Sequence, residues 1–91
     1  MQLPKETKIR IQDGDTVLLE EELIVLNGVI SSAQQGVDVK NPQSAEVWTQ
    51  RLATLLQEKY GLSVTPTVCY LIAIKVTREL GELQENFTEG L

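Results

Sequence analysis

Side-chain catalysis needs a nucleophile, an acid or a base set beside a partner that orients it, and this chain offers few of these groups. It has no histidine and a single cysteine, Cys69. Cys69 stands inside the apolar run from Val68 to Ile74, where a small thiol reads as an inert core residue rather than a nucleophile. One cysteine cannot make a disulfide within the chain, and without histidine a structural zinc site lacks ligands. Asp13-Gly14-Asp15 resembles the start of a calcium loop, but it continues as Thr16-Val17-Leu18-Leu19-Glu20. The alternating oxygen ligands and closing Glu of an EF-hand are missing. Glu20, Glu21 and Glu22 are adjacent, and adjacent residues on a helix do not share a face. The triplet is read as a solvated first helical turn matched to the helix dipole, not as a metal site. No catalytic, cofactor-binding or metal-ligating residue is assigned, no cofactor is expected, and the chain is read as a non-enzyme.

Charge narrows the partners. Eight Lys and Arg, scattered along the chain, stand against thirteen Asp and Glu, giving a net charge of −5 and a pI near 4.6. General affinity for nucleic-acid phosphates or anionic lipid is not expected. The opening residues Met1 to Lys8 show no signal core, and no apolar run approaches the roughly 18 residues of a membrane span. A cytosolic origin is the expectation. The 91 residues, 42% of them hydrophobic, are enough for one domain with a small core.

The elements that must position any functional surface follow from periodicity. Residues 1–6 read as an arm. Thr7 to Gln12 alternates apolar and polar residues, the period of a half-buried strand, and Thr16 to Glu20 reads as its return strand. Asp13-Gly14 at the centre of a type I′ turn would pair Ile9 with Leu18 and Ile11 with Thr16. A three-residue loop, Asp13 to Asp15, would instead pair Ile11 with Val17 and Ile9 with Leu19. The second choice is favoured because it gathers four apolar residues on one face. Leu19, Leu23, Leu26, Ile30 and Ala33 then recur at helical spacing, predicting an acid-led helix over 20–35 with Gly36 beyond its end. Asn41-Pro42 opens a second helix, 42–60, carrying Trp48, Leu52 and Leu55 and closed by Gly61.

A third helix, 65–87, starts with Thr65 as cap, Pro66 at the first helical position and a Val64–Cys69 staple. Val68, Ile72, Val76, Leu80 and Leu83 make its apolar stripe, widened by Leu71 and Ile74. Lys75 with Glu79, and Arg78 with Glu82, are spaced to pair across an exposed face. Residues 88–91 form a tail. The expected fold is α+β, mainly α: an N-terminal β-hairpin (7–19) packed on a three-helix bundle.

Candidate interaction residues lie in three places. A two-stranded hairpin is marginal alone, so the face of Ile9, Ile11 and Val17 packs on the helices, the favoured reading, or joins a partner's sheet at the ribbon edge. Trp48, the single tryptophan, reads as a core anchor in preference to a partner hot spot. Tyr70, Leu71 and Ile74 make the third helix apolar on more than one side, so that face must be covered by the domain itself or by a partner.

The segment Gly61-Leu62-Ser63-Val64-Thr65-Pro66, leading into the long helix through Gln84, resembles small proteins from the structural gene blocks of tailed bacteriophages. The similar part runs from Tyr60 to Gln84, with a fainter echo in Lys8 to Leu26. The resemblance implies a non-enzymatic part in virion assembly, as a structural component of head or tail or as a tail-assembly chaperone. Its partner would be a protein, either a second copy in a homo-oligomer or a larger virion protein, met in the host cytoplasm. The reading of the residues alone leaves a cellular adaptor or regulatory module as the alternative.

Overall fold

The computed structural model describes residues 7–89, and side chains from Thr7 to Glu82. The expected arm 1–6 and residues 90–91 of the expected tail lie outside the described residues. Strands β1 (Lys8–Asp13) and β2 (Thr16–Glu22) pair antiparallel and are followed by helices α1 (Leu23–Ala33), α2 (Ala45–Tyr60) and α3 (Pro66–Glu89). The fold is the expected α+β arrangement, mainly α, with the hairpin leading a three-helix bundle.

Neither expected register occurs, because a bulge satisfies the tip and the base of the ribbon separately. At the tip, Asp13 pairs with Thr16 and Gln12 with Val17 around a two-residue Gly14-Asp15 turn. Gly14 has φ +63° and among the described residues no non-glycine has positive φ, so the positive angle falls on the first central position, as in a type II′ turn rather than type I′. At the base, Ile11 pairs with Leu19 and Ile9 with Glu21, and the register shift between Ile11 and Gln12 takes up Leu18 as the extra residue. Ile9, Ile11 and Leu19 thereby share the buried face, and Val17 is turned out to solvent.

The second correction is the acidic triplet. β2 runs through Glu22 and α1 begins at Leu23, so Glu20 to Glu22 are strand residues and the first turn of α1 holds no acid. Cross-strand partners outcompete the helix dipole here. Glu20 sits opposite Arg10 and accepts its Nε–H at 3.0 Å, Glu21 faces inward opposite Ile9, and the Leu23 N–H continues the ladder to the Thr7 carbonyl at 2.8 Å. The helical spacing of Leu23, Leu26, Ile30 and Ala33 is kept, and all four are buried.

The remaining junctions follow their sequence signals. The Asn41 side chain accepts from the Gln43 N–H at 3.0 Å and Pro42 opens a 3-10 turn (Pro42–Ser44) that leads into α2. Gly61, at φ +65°, closes α2 in the left-handed conformation. Thr65 Oγ1 accepts from the Val68 N–H at 3.3 Å, capping α3, which extends two residues past the expected end. α3 packs inward through Cys69, Ile72, Ala73 and Val76; with Ile9, Leu23, Leu26, Trp48, Leu52 and Leu56 these residues belong to one core.

Lys75 departs from its expected pairing with Glu79: its Nζ donates to the Arg10 carbonyl at 2.9 Å. The bond from Leu23 to Thr7 sets the alternation of the ladder, so Arg10–Glu20 is a pair whose main-chain groups face away from the partner strand. Lys75 therefore caps the outer edge of β1. On the β2 side the Glu22 N–H is taken by Glu21 Oε1 at 2.7 Å. These two contacts blunt the ribbon edges that a partner strand would need.

Leu52 is fully buried whereas Leu71 is 58% exposed. Leu52→Ala is expected to cost about 2–5 kcal/mol, and Leu71→Ala to stay within about 0.5 kcal/mol of the parent, in urea titrations followed by far-UV circular dichroism.

Candidate protein-binding groove

The residues singled out on α2 and α3 meet at one concavity. Trp48, in the first turn of α2, is turned into the core and is 3% exposed, while its ring stacks on Tyr70 of α3 with centroids 5.7 Å apart and planes at 28°. Tyr70 is 43% exposed, so the pair carries aromatic surface from the core to the outside. The stack floors a groove of about 550 Å³ whose walls include Val39, Pro42, Ile74 and Arg78.

One wall is a loop held by its own polar groups. Asp38 Oδ1 accepts from the Lys40 N–H at 3.2 Å, the Asp38 carbonyl accepts from the Asn41 N–H at 3.0 Å, and Ser44 Oγ–H reaches the Asp38 and Asn41 carbonyls, each at 2.7 Å. With its backbone turned inward in this way, the loop leaves Val39 exposed beside Pro42. The other wall is α3, where Tyr70, Ile74 and Arg78 recur every four residues along one side.

A second concavity of about 330 Å³ lies on the other side of the α3 ridge, between α3 and the ribbon, lined by Ile11, Leu18, Val68, Leu71 and Lys75. The seven candidates therefore separate. Trp48, Tyr70 and Ile74 converge on the larger groove and Leu71 borders the smaller one. Ile9 and Ile11 belong to the core, the favoured of the two readings of the ribbon face, and not to an exposed interaction surface; the ribbon needs them to hold it on the helices. Val17, across from Gln12, is exposed on the outward side of the ribbon and lines neither concavity. Sequence reasoning missed Val39 and Arg78. An apolar residue inside a polar linker is the available signal for Val39, whereas the spacing of Arg78 and Glu82 points to an ion pair. Among the described residues the ion pair within 4.0 Å is Arg10–Glu20, and both of its side chains are well exposed.

Two groups outside the groove have shifted acidities. Burial pushes the Cys69 thiol up, away from the thiolate that nucleophilic chemistry requires. Tyr60, at the end of α2, donates its hydroxyl to Glu21 Oε2 at 2.9 Å; burial first, then this bond and the carboxylate charge, raise the phenol to about 12. Among the described residues no cluster of three or more Cys, Asp or Glu is placed to hold a metal ion, and no helix is long and apolar enough to cross a membrane. No protein-family model, no curated protein and no solved structure matches the chain.

Cys69 is expected to resist an aromatic disulfide reagent in the native protein and to react at once in denaturant, read by absorbance of the released thiolate. Tyr60 favours its protonated form when folded. Its contribution to stability is therefore complete below pH 10, the ordinary phenol value, and is lost as pH rises through about 12. Tyr60→Phe is expected to cost about 1 kcal/mol at neutral pH and to flatten this alkaline loss, measured by urea midpoints across the pH range.

Proposed function

We propose that this chain is a non-enzymatic protein–protein interaction module and that the groove between the Asp38–Ser44 loop and α3 receives its partner. The observation that carries the reading is the Trp48–Tyr70 stack, which opens a core aromatic onto a groove rimmed by Ile74 and Arg78. Trp, Tyr and Arg are the residue types that dominate binding energy at interfaces, above all where they sit in a pocket from which a partner displaces water. Tyr70, Leu71 and Ile74 form an apolar ridge on a protein whose net charge of −5 would otherwise keep it well solvated. The lining is mainly apolar and carries one charge, Arg78, which suits an apolar segment of the partner with an acidic group set against Arg78.

The resemblance of Tyr60 to Gln84 to small proteins of tailed bacteriophages makes that partner a larger virion protein, and the role a structural or assembly one, tail-assembly chaperone included. A photo-crosslinking residue at position 74 is expected to trap a virion structural protein in the native cell. The same residue at Glu46 or Thr54, on the outer side of α2, is expected to trap none. Tyr70→Ser with Ile74→Ser should abolish the adduct obtained from a crosslinker at position 39, on the opposite wall of the groove, with native circular dichroism retained. Adducts spread evenly over all positions would overturn the docking site. An adduct with a host protein alone would overturn the virion role in favour of a cellular adaptor.

A further inference from the structure

A second face, on α1, is unpartnered, and its chemistry differs from that of the groove. α1 (Leu-Ile-Val-Leu-Asn-Gly-Val-Ile-Ser-Ser-Ala) is the one helix of the three without a charged residue. It buries Leu23, Leu26, Val29, Ile30 and Ala33, yet Ile24 and Val25 are 40% and 43% exposed on its outer side. An amphipathic surface helix normally turns charge to water, and a helix apolar on both sides is normally covered on both. Gly28 lies at the middle of this outer face. A Cβ there would meet nothing within 4 Å, so no contact inside the protomer accounts for a residue that weakens a helix interior. Ser32 spends its hydroxyl on the Gly28 carbonyl at 3.0 Å, which leaves the face drier than its composition suggests.

We propose that α1 is a homodimer interface in which two copies of the helix cross antiparallel at Gly28. A two-fold axis through Gly28 sets Ile24 and Val25 of each copy over the small Ser31 and Ser32 of the other, and the glycines let the backbones approach. The face is thus self-complementary, as a two-fold interface requires. Charge agrees with this occupant. Arg51 is held against the C-terminal end of α1, where its Nη1–H donates to the Gln35 carbonyl at 3.1 Å, while Glu22 stands immediately before the N-terminal end. Antiparallel crossing brings the acidic end of each helix to the basic end of the other and opposes the two helix dipoles. α1 itself carries no charged residue, so the crossing sets no like charges face to face between the two copies of a chain of net charge −5. One helix crossing covers less than the roughly 1,600 Å² of a standard interface, so the dimer is weak and concentration-dependent.

The test is mass in solution by sedimentation equilibrium from about 1 μM to about 1 mM, a range that spans weak-interface affinities. The full chain is expected to rise from 10.1 kDa toward twice that mass. Gly28→Ala, which fits the protomer, is expected to keep or raise the melting temperature while weakening association by about tenfold or more. Ile24→Glu is expected to remain monomeric at every concentration, and Ile74→Glu, on the groove, to associate as the parent does. A parent that stays monomeric throughout, a dimer indifferent to Gly28→Ala, or a dimer dissolved by Ile74→Glu would each overturn the proposal. Because the groove is not used in this contact, loss of the dimer leaves the reading of the groove standing.

Discussion

A ribbon of two strands has only one apolar face and nothing of its own to cover it, and the architecture is arranged around meeting that need. The bulge at Ile11/Gln12 turns Ile9, Ile11 and Leu19 to the same side. β2 then passes into α1 between Glu22 and Leu23 with no intervening loop, so the first helix is delivered directly beneath the ribbon. The bond from Tyr60 to Glu21 fixes the end of α2 against the same strand, and Lys75 ties α3 to β1. Each of the three helices is thereby tied to the sheet, α1 by the chain itself and α2 and α3 by one side-chain bond each. The one inward-facing carboxylate on that sheet, Glu21, is satisfied twice, by the Tyr60 hydroxyl and the Glu22 N–H, so it orients the ribbon without an unpaired charge.

What the sequence makes legible is whatever local rules decide. The caps at Asn41, Thr65 and Gly61 depend on neighbours within a turn or two, and they occur as read. The stripes occur in part: Trp48, Leu52, Ile72 and Val76 are buried, Leu55, Val68 and Leu80 are half-buried, Cys69 and Ala73 take inward places on α3, and the Leu83 side chain lies outside the described residues. The acidic triplet does not occur as read, because Arg10, ten residues before Glu20, decides its fate, and a helical window cannot include a strand partner. Local spacing likewise points Lys75 to Glu79, yet it bonds to a carbonyl 65 residues away. The hairpin register was posed as a choice between turn geometry and face matching, and the extra residue Leu18 meets both demands.

The candidate site was legible in part, for the same reason. An apolar block too wide for one buried stripe is visible in Val68 to Ile74, and the structure leaves Tyr70, Leu71 and Ile74 uncovered. Trp48 was read as core, and it is core; only its stacking on Tyr70 makes it also the floor of a groove. That depends on how the 34–44 linker folds back, a matter of Asp38 and Ser44 hydrogen bonds that no periodicity records. Ile9 and Ile11 show the opposite case, since apolar strand residues look alike whether they face a partner or the chain's own helices.

The bond from Lys75 to Arg10 also sets an order of events. The ribbon is made on the ribosome before the helix that latches it. At synthesis rates of about 5–20 residues per second, several seconds separate the two. Throughout that interval Ile9, Ile11 and Leu19 have no α3 to rest on, and the nascent ribbon has only the shortness of its strands and the charges of Arg10 and Glu20 to keep it from its neighbours on a polysome.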